Sequence, residues 1–370
     1  MFSFKPVAGV TKSKTNVMQI DNFQNLPFPN SVYEQKVVNF CESWLNGNKT
    51  FTLKTSGSTG EPKLIELSRN QMVASAKLTG KTFKLQNGDS ALVCLNVEYI
   101  AGIMMLVRGM ELGLSLTIVE PSGNPLENLE HQRFDFFAFV PLQLQNVLET
   151  PKYWQILNQA KAIIVGGAAV NQALADKIKQ LKVPVYSTYG MTETVSHIAI
   201  KRLNSNDVDE YFHVLEGVKI SIDSRNCLNI TGDASNNQLI QTNDIVEIVN
   251  EKEFKLIGRF DNIINSGGVK IQLEKVEKLI EEDLKIFGSN RYFAFGISDE
   301  KLGQKLVLFV ECTIENSELH DTFFKKIELI LPKFEIPKEI YFTEKFIETP
   351  TGKIDKKASV NFQLNLDSLD

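Results

Sequence analysis

The sequence predicts an α/β fold: a large N-terminal domain with mixed and parallel sheets, followed by a small α+β domain. Two observations carry this. In the middle of the chain, short β-rich runs alternate with helix-like stretches, the pattern of βα units that feed a parallel sheet. From Asp244 onward the pattern gives way to a hairpin, a Gly/Asn/Asp-rich stretch and an amphipathic helix. The length of 370 residues agrees, since ~100–200 residues per domain suggests two domains.

The elements follow in order. Residues 1 to about 50 read as irregular, with Pro27 and Pro29 as punctuation. Ser68 and Gln71 stand at capping-box spacing, and Val73, Ala76, Gly80 and Phe83 follow at helical intervals, so a helix begins there. Ala91–Val119 is the most apolar region. Glu98, Arg108 and Glu111 interrupt it, which favours a buried α/β element over a membrane span. Strands are expected at Ser115–Val119, Asp135–Val140, Ala162–Val165 and Val183–Tyr186, each followed by Pro, Gly or Ser. Asn171–Leu181 carries Leu174, Ile178 and Leu181 at helical spacing. Ligands of parallel sheets sit beyond the carboxyl ends of the strands. Pro141, the Gly166–Gly167 pair and the Ser187–Gly190 turn lie at those ends. Further on, Ile245–Val249 and Glu253–Ile257 read as a hairpin around Asn250–Lys252. Leu273, Val276, Leu279 and Ile280 then mark an amphipathic helix, and strands follow at Tyr292–Gly296 and Leu306–Glu311. The domains are expected to divide into residues 1–259 and 260–370, joined at the segment GRFDN.

Composition narrows the function. An apolar fraction of 43% and a charged fraction of 23% suit a soluble globular enzyme. A net charge of −5 without a long basic run argues against nucleic acid as the main partner. Cys41, Cys94, Cys227 and Cys312 are scattered singly, without metal-ligand spacing, and read as buried thiols of a reducing compartment. The N-terminus has no long apolar core of a secretory signal. A cytoplasmic enzyme that needs no membrane is expected.

Four motifs carry chemistry. Thr55-Ser-Gly-Ser-Thr-Gly-Glu-Pro-Lys63 places two glycines and four hydroxyl residues within six positions. Such a loop presents amide N–H groups and hydroxyls to phosphate oxygens, with Lys63 adding charge. It lacks the Walker A spacing, and a flexible surface turn gives similar letters. Tyr189-Gly-Met-Thr-Glu-Thr194 follows a strand. There Thr192 suits a phosphate and Glu193 suits Mg²⁺, although an ordinary turn and helix cap remain an alternative. Asp244 lies fifteen residues before Arg259. The pair can accept from and donate to ribose hydroxyls, or be solvated surface charges. Pro350-Thr-Gly-Lys353-Ile-Asp-Lys356 holds Lys353 on a defined, exposed loop, or is simply a basic C-terminal loop.

Taken together and in order, TSGSTGEPK, YGMTET, TND, GRFDNIINSGG and PTGKIDK resemble the adenylate-forming superfamily of acyl-CoA synthetases, peptide-synthetase adenylation domains and luciferases. The resemblance runs from about Leu53 to Lys357. It implies an AMP-forming ligase using ATP, Mg²⁺ and CoA on a small carboxylic acid, with a second copy of the chain as a candidate partner. It implies that Thr55, Ser56, Gly57, Ser58, Thr59, Gly60 and Lys63 cover the β- and γ-phosphates. Gly166, Gly167 and Ala168 would form the adenine-side strand end, within an ATP site that also includes Gly190 and Met191. Tyr189 would stack on adenine, Thr192 would contact the α-phosphate, and Glu193 would hold Mg²⁺. Asp244 and Arg259 would hold the ribose. Asp233, in Thr231-Gly-Asp233, matches by letters but lies too far from Arg259 for the family pattern. Asp261 would be the hinge and Lys353 the mobile catalytic lysine, while Gly267 and Gly268 would let the chain approach the pantetheine arm of CoA closely.

The segment Tyr99-Ile-Ala-Gly-Ile-Met-Met-Leu-Val-Arg108 resembles the substrate-side helix of the o-succinylbenzoate–CoA ligases of menaquinone biosynthesis. Those enzymes usually carry His where Tyr99 stands. Their substrate has a second, unreactive carboxylate. Arg108 is a candidate cation for it, or is a structural residue that caps a helix or pairs with Glu111. His197 either faces the acyl pocket or is structural. An adenylating enzyme that loads another acceptor is the alternative reading.

Overall fold

The computed structural model describes residues 17–54, 64–205, 209–312, 317–349 and 353–364. Its main sheet contains twelve strands. In spatial order these are Val17–Ile20, Ser115–Val119, Ser90–Val93, Phe136–Phe139, Ala162–Val165, Val185–Gly190, His197–Arg202, Phe212–Val214, Glu253–Arg259, Ile240–Asn250, Cys227–Thr231 and Lys219–Ile222. The five strands from Ser115–Val119 to Val185–Gly190 run parallel. The strands on either side of this block are antiparallel. Central parallel strands are covered on both faces and therefore read as continuous apolar runs. Phe136–Phe139 and Ala162–Val165 are such runs, and every residue of both is buried.

Helices close the sheet on both faces. The helix Arg69–Phe83 starts with the expected capping box: the Ser68 side chain accepts from the Gln71 amide, and the Gln71 side chain returns to the Ser68 amide. Ile100–Leu112 is buried without a break from Gly102 to Gly109 and ends at Gly113 in the left-handed conformation. A second sheet of five strands begins after Arg259. It contains Ile263–Ser266, Val269–Gln272, Tyr292–Asp299, Gly303–Glu311 and Glu339–Thr343, and packs with the helices Leu273–Leu284 and Ser317–Ile327. The Gln172 amide donates to Glu281 Oε1 at 2.8 Å, which ties a helix of the first layer to one packed on the second sheet.

Several expectations need correction. The described part of the stretch before residue 50, from Val17 on, is not irregular. It contains the edge strand Val17–Ile20 and the helix Val32–Leu45, capped by Ser31. Ser187–Gly190 is not a turn but the end of a strand, held in extension by antiparallel pairing with His197–Arg202. The Asn171–Leu181 helix is shorter, Gln172–Ile178, with Asn171 as its cap. The Gly/Asn/Asp-rich stretch after Asp261 is ordered as strands. Ser266 pairs with Val269, and Gly267 and Gly268 both have positive φ, so they form the two-residue turn of a β-hairpin. Leu279 faces solvent; Leu273, Val276, Ile280 and Leu284 form the buried stripe of its helix.

Candidate active site

One cavity of about 490 Å³ opens at the carboxyl ends of the five parallel strands, where such sheets bind ligands. Each strand delivers wall residues just beyond its end: Cys94–Asn96, Pro121–Gly123, Val140 with Gln143, Gly166–Gly167, and Gly190–Thr192. Tyr99 and Arg108 enter from the helix Ile100–Leu112, and Val195, Ser196 and His197 from the turn after YGMTET. Lys353 completes the wall from the far end of the chain.

Close backbone approach explains two of the glycines. A Cβ on Gly166 would run into the Thr188 hydroxyl, and one on Gly190 would meet the backbone of Ser196 and His197. Gly167 has φ of +87° and faces Lys353, whose Cε lies 3.9 Å from the place a Cβ on Gly167 would occupy. Lys353 is braced by its neighbours: the Thr349 amide donates to the Lys353 carbonyl, and the Lys353 amide donates to Thr349 Oγ1. Its ammonium makes no ion pair with a described carboxylate. Burial, and then the Arg259 charge, lower its pKa from the ordinary lysine range. Lys353 is thus a half-buried cation beside a second cation.

Beside this wall, Asp244 and Arg259 face each other on paired strands. Arg259 Nη1 donates to Asp244 Oδ1 at 3.1 Å, while its Nε and Nη2 donate to the two Asp261 oxygens at 2.8 and 2.7 Å. Burial opposes the Asp261 charge, and the Arg259 bonds outweigh it, holding this carboxyl below its usual range. Tyr189 is buried against Phe212 and Phe254, and its hydroxyl donates to Asp244 Oδ2 at 2.6 Å. Asp233 sits apart, on the short 3₁₀ turn Asp233–Ser235.

Arg108 is 2% exposed and meets no carboxylate among the described residues. Its Nη2 donates to Ser196 Oγ at 2.7 Å, its Nε to Thr79 Oγ1 at 3.2 Å, and its Nη1 approaches Met105 Sδ at 3.5 Å. Glu111 instead accepts from Trp44 Nε1 and faces Arg69, so the Arg108–Glu111 pair considered from sequence does not form. Burial pulls the Arg108 pKa down to about 10, which leaves it charged at neutral pH. His197 shares the pocket. Burial and then the Arg108 charge push its pKa down to about 3, so it is neutral. Its Nδ1 lies 3.2 Å from Ser196 Oγ, and its Nε2 is buried without a partner.

The structure therefore brings Gly166, Gly167, Gly190, Met191, Thr192, Tyr99, Arg108, His197 and Lys353 into one cavity. Asp244, Arg259, Asp261 and Tyr189 form a polar cluster next to it. Ala168 is exposed at the adjoining strand end, and Glu193 is exposed next to Thr192. Thr55–Lys63 lies outside the described residues. Gly267 and Gly268 form the hairpin turn and do not line the cavity. Ser196 was not singled out from sequence; only its place beside His197 pointed to it. Among the described residues no group of three or more His, Cys, Asp or Glu side chains is arranged around a metal. One exposed carboxylate, Glu193, fits Mg²⁺, which commonly takes one or two carboxylates and completes its shell with phosphates and water.

A cavity at the strand ends with an unpaired lysine above it, beside an Asp–Arg–Tyr cluster, is the architecture of an adenylate-forming enzyme. The chain belongs to the AMP-binding enzyme family, whose sequence profile matches residues 13–222, more than half of it. It is an AMP-forming acid–thiol ligase. Its relatives include an acyl-CoA synthetase (AMP-forming)/AMP-acid ligase II-like protein of Dyadobacter fermentans, with 44% identity. That match covers 94% of this chain and all of the other, with a TM-score of 0.64. The 2-succinylbenzoate–CoA ligase of Staphylococcus epidermidis is 25% identical over 336 residues, covering 84% of this chain and 69% of the relative. The o-succinylbenzoate coenzyme A synthetase of Bacillus subtilis, solved with ATP and magnesium, shares the fold at 20% identity with a TM-score of 0.67. The match covers 84% of this chain and 69% of that one. No helix among the described residues is long and apolar enough to cross a membrane.

Proposed function

We propose that this enzyme activates o-succinylbenzoate as its acyl-adenylate and transfers the acyl group to CoA, a step of menaquinone biosynthesis. The observation that carries the choice of acid is Arg108. A buried guanidinium without a carboxylate partner among the described residues, on the wall of the cavity, calls for an anionic group on the substrate besides the reacting carboxylate. The curated relatives named 2-succinylbenzoate–CoA ligase support the same acid.

In the first half-reaction a carboxylate oxygen attacks the α-phosphorus of ATP, and the bond to pyrophosphate breaks. Negative charge grows on the transferring group. Lys353 and Thr192, both on the cavity wall, would donate to it, as preorganised groups do when they lower such barriers. Asp244 accepts from the ribose hydroxyls, with Tyr189 and Arg259 fixing its carboxylate, and Gly166–Ala168 flank the adenine. Glu193 would hold Mg²⁺, which neutralises phosphate charge. In the second half-reaction the CoA thiolate attacks the acyl carbon, a C–S bond forms and AMP leaves with the mixed-anhydride oxygen. For this step we propose that the segment after Asp261 rotates as a body, withdraws Lys353 and presents the Ser266–Val269 hairpin to the site. ATP and CoA are cytoplasmic co-substrates, which supports a cytoplasmic reaction.

The test is acid-dependent pyrophosphate release with and without CoA. The proposal expects release with o-succinylbenzoate and conversion to the thioester only when CoA is present. Pyrophosphate release that never yields a thioester would favour another acceptor.

A further inference from the structure

Three side chains in the acyl end of the cavity form a chain of hydrogen bonds with only one consistent direction. Arg108 can only donate, so its Nη2 bond at 2.7 Å makes Ser196 Oγ an acceptor. Its other hydrogen-bond contact among the described residues is His197 Nδ1, 3.2 Å away. Were Nδ1 protonated, the serine hydroxyl hydrogen would lack an acceptor and the Nε2 lone pair would lack a donor, leaving two orphaned groups. With the hydrogen on Nε2, Ser196 donates to Nδ1 and only Nε2–H is left open. Buried polar groups are rarely left unpaired, so the second arrangement prevails. The positive charge behind Ser196 also polarises its hydroxyl and makes it the better donor.

The backbone is bent to hold this chain. Val195 has φ of +65° and ψ of −51°, and the Ser196 amide donates to the Thr194 carbonyl at 2.6 Å. This is a γ-turn of the rare positive-φ type, at a buried β-branched residue for which it is strained. Strain of this kind persists where surrounding contacts require it. Here it places Ser196 and His197 side by side on the cavity wall.

We infer that Ser196 is a positioning residue that fixes His197 as its Nε2–H tautomer, so that the pocket selects acids carrying a neutral acceptor oxygen, such as an oxo group, in addition to the anion met by Arg108. The inference rests on the proposed acid–CoA ligase activity for its substrate side, but not for its tautomer. Because His197 stays neutral well below physiological pH, the donor persists across the working range. Ser196 accepts from Arg108 and donates to His197, so it sets the direction of both bonds.

Two measurements test this. First, two-dimensional ¹H–¹⁵N spectra of the histidine rings in the full-length enzyme, with His197→Gln to assign the signal, should show His197 as Nε2–H. Ser196→Ala should mix the tautomers and Ser196→Thr should restore the single form. Second, pyrophosphate release should be compared between o-succinylbenzoate and its oxo-free analogue, 2-(3-carboxypropyl)benzoate. Wild type should prefer the oxo acid in kcat/KM by roughly 10- to 100-fold, the scale of leaving one buried donor unpaired. Ser196→Ala should cut that preference toward unity with KM for ATP unchanged, and Ser196→Thr should keep it. An Nδ1–H signal in the wild type, or a preference that Ser196→Ala leaves intact, would overturn the inference. If wild type turns over neither acid, the substrate proposal falls, while the tautomer spectrum still decides the role of Ser196.

Discussion

Replacing Arg108 by Met should damage the reaction more than the fold. Burial pulls the Arg108 pKa down to about 10, well below the ordinary arginine range, so keeping the charge costs the folded state about 3 kcal/mol. The hydrogen bonds to Thr79 and Ser196, donated by a charged group, return ~1.5–3 kcal/mol each. That return matches or exceeds the cost, and Met fills similar apolar volume, so the variant should lose between about zero and 3 kcal/mol of stability. Function should suffer more. A charge-assisted bond from the guanidinium to a substrate anion is worth ~1.5–3 kcal/mol, so KM for o-succinylbenzoate should rise roughly 10- to 100-fold. The KM for ATP should not change. The assays are urea denaturation for stability and pyrophosphate release at varied acid and ATP concentrations. A variant destabilised by more than ~3 kcal/mol with unchanged acid KM would make Arg108 a structural residue and refute the reasoning.

Three further outcomes follow from the site. Asp244→Asn keeps the shape but loses the charge that accepts from Tyr189 and Arg259; KM for ATP should rise ~10-fold or more, read in the same pyrophosphate assay. Gly190→Ala drives a methyl into the backbone of Ser196 and His197, so denaturation should show a loss of ~1–3 kcal/mol together with lower kcat. His197 contributes a pH dependence. Its folded-state pKa of about 3 lies below the ordinary 6.5, so within that window the unfolded chain binds one more proton. Stability is therefore lost as pH falls from about 6.5 toward 3, by up to ~1.4 kcal/mol per pH unit. The stability difference between wild type and His197→Gln should shrink by that slope; a difference constant with pH would contradict a buried neutral ring.

Much of the parallel sheet was legible because buried central strands are spelled as unbroken apolar runs ending in Gly or Pro, as Phe136–Phe139 and Ala162–Val165 are. The helix Val32–Leu45 was not, although Val37, Val38, Cys41 and Trp44 carry its buried face; Pro27 and Pro29 only punctuate the chain before it. The polar letters Ser187-Thr-Tyr-Gly190 concealed a strand end because pairing with His197–Arg202 keeps them extended, a contact that local propensity does not report. Site residues within motifs could be named from their letters. Ser196 could not, since its chemistry comes from Arg108, eighty-eight positions away in sequence. The isolation of Arg108 was equally hidden. Glu111 stands three positions on, where a helical ion pair is favourable, but its helix turns it toward Trp44 and Arg69.

Lys353, carried from the far end of the chain to the cavity beside Thr192, is proposed to serve the adenylation step. The most direct measurement is the pair of half-reactions of Lys353→Ala. Pyrophosphate release from ATP and o-succinylbenzoate should fall by at least ~10²-fold, the scale for losing one preorganised electrostatic group. Transfer from presynthesised o-succinylbenzoyl-AMP to CoA should stay within a few-fold of wild type. Equal losses in both half-reactions, or undiminished pyrophosphate release, would contradict it.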